Sequence, residues 1–206
     1  MKPWSAFHPL VIADVTGCPV PMLDQALRNA AREFCKRTKA WAEWADAFTA
    51  SGTTNRFDFD VGGGAELVAA RRASVDGTWL NILDSDSLPG DWQQRDDTGP
   101  DGSLVHIDST EYLIYPKPGA GAVIAIEMAL RPSAAATGVG DVILESYAEA
   151  VAWGAKYRLQ SQPGKAWTEP ASAKQALMEF ERAINAAANN GFSQKAPSLH
   201  RVKKWG

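Results

Sequence analysis

The stretch GCPVPMLDQALRNAAREFC, residues 17–35, decides the first element of the fold. Its apolar side chains recur at three- and four-residue steps, which places them on one face of an α-helix. Pro21 suits the first turn of a helix, because its missing N–H would have no partner there. The pattern predicts a helix from about residue 20. Its buried face should consist of Leu23, Ala26, Leu27, Ala30, Ala31, Phe34, Thr38 and Trp41.

The opposite side of this helix is basic. It carries Arg28, Arg32, Lys36 and Lys39. A carboxylate four residues before a base stabilises a helix, so we predict the ion pairs Asp24–Arg28 and Glu33–Arg37. A basic face is usually solvated, but it can also contact the carboxylates of a neighbouring chain. The first three of these bases are therefore candidate partner-binding residues.

Two cysteines, Cys18 and Cys35, flank the helix. At a rise of 1.5 Å per residue they would lie about 25 Å apart, whereas a disulfide needs Cα atoms within about 7 Å. Zinc would need further ligands at short spacing, and His8, His106 and His200 are widely separated. We therefore predict neither a disulfide nor a metal site, and we expect Cys35 to pack as a small apolar side chain.

Beyond the first helix the period of the apolar residues changes toward two, which indicates strands. The pair Asp76-Gly77 supplies the backbone angles of a tight turn, so residues 67–75 and 78–83 are predicted to form a hairpin. A second pairing is predicted between 111–115 and 122–131, because prolines and a glycine separate them.

Two segments of this middle region resemble ligand sites but lack the required motifs. Residues 84–102, DSDSLPGDWQQRDDTGPDG, contain six Asp but depart from the EF-hand calcium pattern. An alternative use of the Asp-rich loop 84–101, together with Trp79 and Trp92, is a carbohydrate-binding or hydrolytic module. The triplet in VGGGAEL, residues 61–67, lacks the Lys and Ser/Thr of a phosphate loop. We predict no catalytic residue, no cofactor and no metal.

Helical periodicity returns in the C-terminal third. Asp141 is a predicted N-cap, and Gly154 lies beside the apolar stripe that follows, where a second helix could approach closely. Pro170 can begin a further helix, which Gly191 would end.

The predicted fold is α+β. A helical bundle formed from both ends of the chain, residues 1–46 and 133–191, carries an inserted antiparallel β-sandwich or barrel-like domain, residues 47–132. Residues 192–206, FSQKAPSLHRVKKWG, would form an extended basic tail without Asp or Glu. Such a segment either stays solvated or folds onto a partner. Its candidate partner-binding residues are Leu199, Arg201, Lys203, Lys204 and Trp205.

Composition narrows the function classes. A net charge of -3 does not fit a strongly basic body that binds nucleic acid without specificity. No apolar run approaches the roughly 20 residues of a membrane span, so we expect a soluble protein without a membrane partner. Eight Trp is a high count for 206 residues, and we expect some at contacts between chains.

Three segments occur in a recognisable order: GCPVPMLDQALRNAAREFCKRTKAW, then EYLIYPKP with ALRPS, then ESYAEAVAWGAKYRLQSQPGKAWTEPASAKQALMEFERAI. Together they resemble the head-to-tail adaptor, or connector, proteins of short-tailed bacteriophages, and are similar to the tail tubular protein A group. The resemblance implies a structural virion protein rather than an enzyme, located in the neck or tail and assembled in the host cytoplasm.

The same resemblance implies partners. Such adaptors form a dodecameric ring beneath the portal protein, extend the channel for double-stranded DNA without sequence-specific binding, and dock the next tail or nozzle protein. Another neck, tail-completion or tail-tube protein is the alternative within this class.

Overall fold

The structure is a computed structural model of the chain, and it describes residues 1–59, 61–87, 102–107 and 110–193. Its α-helices are α1 Val20–Thr38, α2 Asp141–Gln160 and α3 Pro170–Ser193. Short 3₁₀ helices span Trp4–Leu10, Ile12–Asp14 and Ser85–Ser87. Within the described residues, no helix is both long enough and apolar enough to cross a membrane.

The strands form three sheets. In chain order they are β1 Lys2–Pro3, β2 Ala42–Trp44, β3 Phe48–Thr49, β4 Arg56–Asp58, β5 Ala65–Val75, β6 Thr78–Trp79, β7 Asn81–Asp84, β8 Ser103–His106, β9 Glu111–Tyr115, β10 Val123–Pro132 and β11 Gly138–Val139. A small sheet pairs β1 with β11, a second has the order β2-β10-β5-β6 with β3 also on β10, and a third has the order β4-β9-β8-β7. The prediction of an α+β fold is confirmed.

Helix α1 begins where the sequence predicts. Pro19 holds the N-cap position in an extended conformation, and Pro21 lies in the first turn. The predicted apolar face from Leu23 to Thr38 is buried, and Trp41 just beyond it is 2% exposed. Lys39 ends the helix with a left-handed φ of 55°, and its N–H donates to the Cys35 carbonyl at 2.8 Å.

The three α-helices meet at Gly154. A Cβ on this residue would lie 2.8 Å from Cε2 of Phe180 on α3 and 2.9 Å from Cβ of Ala30 on α1. The prediction that Gly154 allows a second helix to approach is confirmed. Phe34 of α1 adds aromatic contacts on the same side, with ring centroids 5.1 Å from Tyr147 and 6.5 Å from Phe180.

Two predicted helix ends are corrected. Gly140, not Asp141, occupies the N-cap position of α2, and Asp141 lies in the first turn, 3.5 Å from the Lys2 ammonium. Gly191 does not end α3, which continues to Ser193. A glycine inside a helix costs about 1 kcal/mol relative to alanine. Packing of the other residues of a helix can outweigh this cost, so one glycine need not end the helix.

Strand pairing agrees with the prediction at the turn after β5 and differs from it in two places. Val75 pairs with Thr78 across Asp76-Gly77, which confirms the hairpin turn. The prediction that residues 78–83 continue along β5 is wrong for β7, which pairs in parallel with β8 of the other sheet. The predicted pairing of 111–115 with 122–131 is wrong. β9 pairs with β4 and β8, whereas β10 pairs with β2, β3 and β5. Period-two alternation fixes the face of a strand but not its neighbour.

One continuous core joins the helices to both larger sheets. It includes Phe34 of α1, Leu104 of β8, Ile124 of β10 and Phe180 of α3, each at most 1% exposed. A second small cluster of Val105, Leu113 and Tyr115 packs on the four-stranded sheet. The division into a body of 1–46 and 133–191, an insert of 47–132 and a tail of 192–206 stays a prediction.

Candidate partner-binding surfaces

Arg28 and Arg32 attach the basic face of α1 to the end of β10 and to the segment that follows it. Nη1 of Arg28 donates to the Ala134 carbonyl at 2.7 Å. Nη1 of Arg32 donates to the Pro132 carbonyl at 2.6 Å. Both residues are half-buried, and their hydrogen bonds join two parts of the same chain.

Glu66 of β5 completes this junction. Its carboxylate accepts two hydrogen bonds from Arg32, at 3.0 and 3.1 Å, and one from Nε of Arg131 at 2.9 Å. The hydrogen bonds from Arg32, supported by the charge of Arg131, hold the pKa of Glu66 below its ordinary value. Helix α1 is therefore fixed to the five-stranded sheet by a carboxylate shared between two arginines.

A second ionic junction ties α1 to α3. Arg37 donates to both carboxylate oxygens of Glu181 at 2.6 Å and to Glu33 at 3.2 Å. The predicted Glu33–Arg37 pair is thus confirmed. The Arg37 guanidinium lowers the pKa of Glu181. The predicted Asp24–Arg28 pair is wrong, because Asp24 contacts Nε2 of His8 at 2.7 Å.

Lys36 is the candidate on α1 that faces outward. Its side chain is exposed, and it makes no ion pair with the residues that the structure describes. The other five candidates, Leu199, Arg201, Lys203, Lys204 and Trp205, lie outside the described residues. Of the sequence candidates that can be placed, Arg28 and Arg32 are hydrogen-bonded within the chain, and Lys36 is exposed.

Two tryptophans that the sequence did not single out as partner-binding are exposed on the five-stranded sheet. Trp44 is 50% exposed and Trp79 is 60% exposed, with ring centroids 6.2 Å apart. The Arg72 guanidinium lies 5.9 Å from the centre of the Trp44 ring and donates to Glu127 at 2.7 Å. The high Trp count was the available signal, but it could not say which rings would be exposed.

A cleft lies beside Trp44, between the edge strands of the two larger sheets. It encloses about 350 Å³ and is lined from β2, β3, β4 and β10. Three carboxylates, those of Glu43, Asp46 and Asp58, line it above an apolar floor. The floor consists of Phe48, Phe59, Val61, Met128 and Leu130.

The described residues give little support to a metal or thiol site. Among them, no group of three His, Cys, Asp or Glu side chains could hold a metal ion. Of the Asp-rich loop, Asp84 and Asp86 are described, while 88–101, with Trp92, lie outside the described residues. Cys18 and Cys35 are free, and burial raises the pKa of Cys35 to about 12.

Among the described residues, the basic face of α1 is thus joined to the sheet of its own chain, and two tryptophans and an acidic cleft are exposed. The sequence model of the SU10 adaptor protein family matches residues 10–201, and the chain belongs to that family. No curated protein matches the chain.

Membership supports a phage head–tail adaptor with a structural role in tail assembly. It suggests a non-enzymatic protein located in the virion neck, in oligomeric assembly with portal and tail proteins.

Proposed function

We propose that this chain forms a ring beneath the portal, extends the DNA channel and docks the next tail component. The observation that carries the proposal is the family match, which spans residues 10–201 of 206. By resemblance to adaptors of short-tailed phages, including the tail tubular protein A group, the ring would be dodecameric. It would assemble in the host cytoplasm and remain in the virion.

The exposed surface supports an assembly role. Tryptophan and arginine are the residues most enriched where alanine substitution weakens protein–protein contacts. Trp44, Arg72 and Trp79 bring these residue types together on one sheet face. An exposed apolar patch of this kind is typical of a surface that another protein covers.

The charge distribution supports passage of DNA without tight binding. A channel lining rich in Lys and Arg would neutralise many DNA phosphates and release their counterions, and it would therefore bind DNA strongly. Packaged DNA has to slide through the channel. The chain has a net charge of -3. Arg32 and Arg37 of α1 pair with Glu66 and Glu181 of their own chain, which leaves these two bases less available to phosphates.

The proposal is tested by native mass measurement of the protein alone, with its portal, and with its next tail component. We expect a shift of about twelve chains on the portal and a monomer or small oligomer in the absence of the portal. Binding to a tail component without binding to the portal would favour a tail-completion or tail-tube protein. Failure to bind either one would refute the proposal.

A variant pair sharpens the same measurement. Trp44→Ala with Trp79→Ala should weaken ring formation by at least about 1 kcal/mol per contact if this face is covered in the ring. Met178→Ala, which removes a 58% exposed apolar side chain on α3, is the matched control.

A further inference from the structure

The cleft beside Trp44 lies between two strand edges. β2 is the edge strand of the five-stranded sheet, and β4 is the edge strand of the four-stranded sheet. Within the described residues, the only strand that pairs with β2 is β10 and the only strand that pairs with β4 is β9, and side chains of both β2 and β4 line the cleft. Exposed strand edges are surfaces to which an extended segment of another chain can bind.

The chemistry of the cleft specifies an occupant that is both apolar and basic. Its floor is aromatic and aliphatic, and the described lining contains three carboxylates and no lysine or arginine. Glu43 is held in place by the indole of Trp41, whose Nε1 donates to its carboxylate at 2.7 Å. The half-exposed ring of Trp44 lines the same cleft and offers a face to a cation.

The C-terminal segment of the chain has the matching composition. Residues 194–206, QKAPSLHRVKKWG, contain Lys195, Arg201, Lys203 and Lys204 and no acidic residue. Leu199 and Trp205 supply apolar side chains in the same segment. A cleft of about 350 Å³ has room for one tryptophan side chain of this kind together with its neighbours.

We propose that the acidic cleft binds residues 194–206 of a neighbouring copy of this chain. The inference rests on the proposed ring, because a segment of one subunit in a cleft of the next is a heterologous contact, which closes into a ring when the rotation permits. Opposite charges guide the segment, and burial of Trp205 on the apolar floor holds it.

The first test uses a fluorescein-labelled peptide of residues 194–206, titrated with the full chain and followed by anisotropy. We expect saturable binding that weakens about tenfold or more in the variant Asp46→Lys with Asp58→Lys, because two attractive contacts become repulsive. The matched control is Glu145→Lys with Glu149→Lys. These two carboxylates line a different groove, between α2 and α3, and their reversal should leave the affinity within about twofold. Equal weakening by both variants would overturn the assignment.

A peptide variant makes the test independent of the folding of any protein variant. The peptide with Lys203→Glu and Lys204→Glu should bind the unmodified chain about tenfold more weakly and regain affinity for the Asp46→Lys, Asp58→Lys chain. Unchanged binding of this peptide would show that charge does not select the segment, and would overturn the proposal.

A crosslinking experiment decides which copy supplies the segment. One full chain carries Asp46→Cys, a second carries Lys204→Cys, and both carry Cys18→Ser. Oxidation of the mixture on the portal should give a disulfide-linked product of two chains. A further chain carries both cysteines. If this chain forms only an internal disulfide at every concentration, binding between copies is overturned. A ring on the portal without peptide binding would refute this inference alone, and peptide binding without a ring would refute the proposed function alone.

Discussion

Replacement of Gly154 by alanine sets two effects of opposite sign against each other. Alanine is favoured over glycine inside a helix by about 1 kcal/mol, so an unobstructed position in α2 would gain stability. Gly154 is obstructed, because its added Cβ would lie 2.8 Å from Cε2 of Phe180 and 2.9 Å from Cβ of Ala30. Carbon atoms that are not bonded to each other prefer about 3.5 to 4.0 Å.

The cost of this overlap should exceed the helical gain. Ala30 is 0% exposed and its Cβ is fixed to the backbone of α1, while Phe180 is 1% exposed and cannot rotate into solvent. The contact is therefore relieved only if α1 and α2 move apart, and overpacking of a core of this kind costs about 1 to 3 kcal/mol. With the helical gain subtracted, we expect Gly154→Ala to lower the free energy of unfolding by up to about 2 kcal/mol.

Urea unfolding followed by circular dichroism at the helical band measures this difference. A loss of this size corresponds to a decrease in Tm of up to about 8 °C for a chain of this length. Ala186→Gly, at an exposed position of α3, measures the helix-propensity contribution alone and should cost about 1 kcal/mol. A Gly154→Ala protein that is more stable than the parent would refute the close three-helix contact.

Three further predictions concern charge, packing and thiol reactivity. Glu66→Gln should cost about 0.5 to 1 kcal/mol at pH 7, because the carboxylate is partly exposed. Its pKa is lowered in the folded state, so this stabilisation is present above the ordinary value of 4.5 and is lost as the pH falls through the folded value; unfolding curves from pH 7 to pH 3 measure the loss. Phe34→Ala should cost about 3 to 5 kcal/mol in urea unfolding, because the ring is fully buried against Tyr147. Iodoacetamide at pH 8 should modify Cys18 in the folded protein, and Cys35 only in denaturant, as read by mass spectrometry, because burial raises the pKa of Cys35 to about 12.

Further variants and outcomes check these three predictions. Glu149→Gln removes an exposed carboxylate of α2 and should change stability little at any pH; a pH-independent effect of Glu66→Gln would contradict the ion-pair explanation. Met178→Ala should cost less than about 0.5 kcal/mol, since the side chain is 58% exposed. Modification of Cys35 as rapid as that of Cys18 in the native protein would contradict its burial.

The helices could be predicted from the sequence because their signals are local. Pro21, the apolar stripe that begins at Leu23, and Pro170 each act within a few residues of their own position, and the structure places helices there. Gly154 could be predicted for the same reason, since a missing side chain beside an apolar stripe indicates close approach. The predicted end at Gly191 was wrong because packing along the rest of α3 outweighs the local preference of one glycine.

Strand pairing could not be predicted in the same way, because it is set by contacts between residues that are distant in the chain. The turn at Asp76-Gly77 was found because it is local. The partners of β9 and β10 were not, because alternation of apolar residues says which face is buried and nothing about the neighbouring strand. Near its middle β10 is also buried on both faces, with Met128 6% exposed on one face and Ala129 0% exposed on the other, which marks a central strand rather than one arm of a hairpin.

The candidate site depends on that unpredicted pairing. Had β9 and β10 formed a hairpin, the sheets carrying β2 and β4 would have been joined through it, and the cleft between their edges would not have this lining. The cleft carboxylates are separated in the sequence, at Glu43, Asp46 and Asp58. Nothing in the sequence distinguishes them from ordinary solvent-exposed carboxylates. The fold brings these three carboxylates together in the acidic cleft. The ion pairs of Glu66 and Glu181 hold α1 against the sheet and against α3. Elements fixed to one another by ion pairs lose little conformational entropy when a partner binds, because they are already ordered.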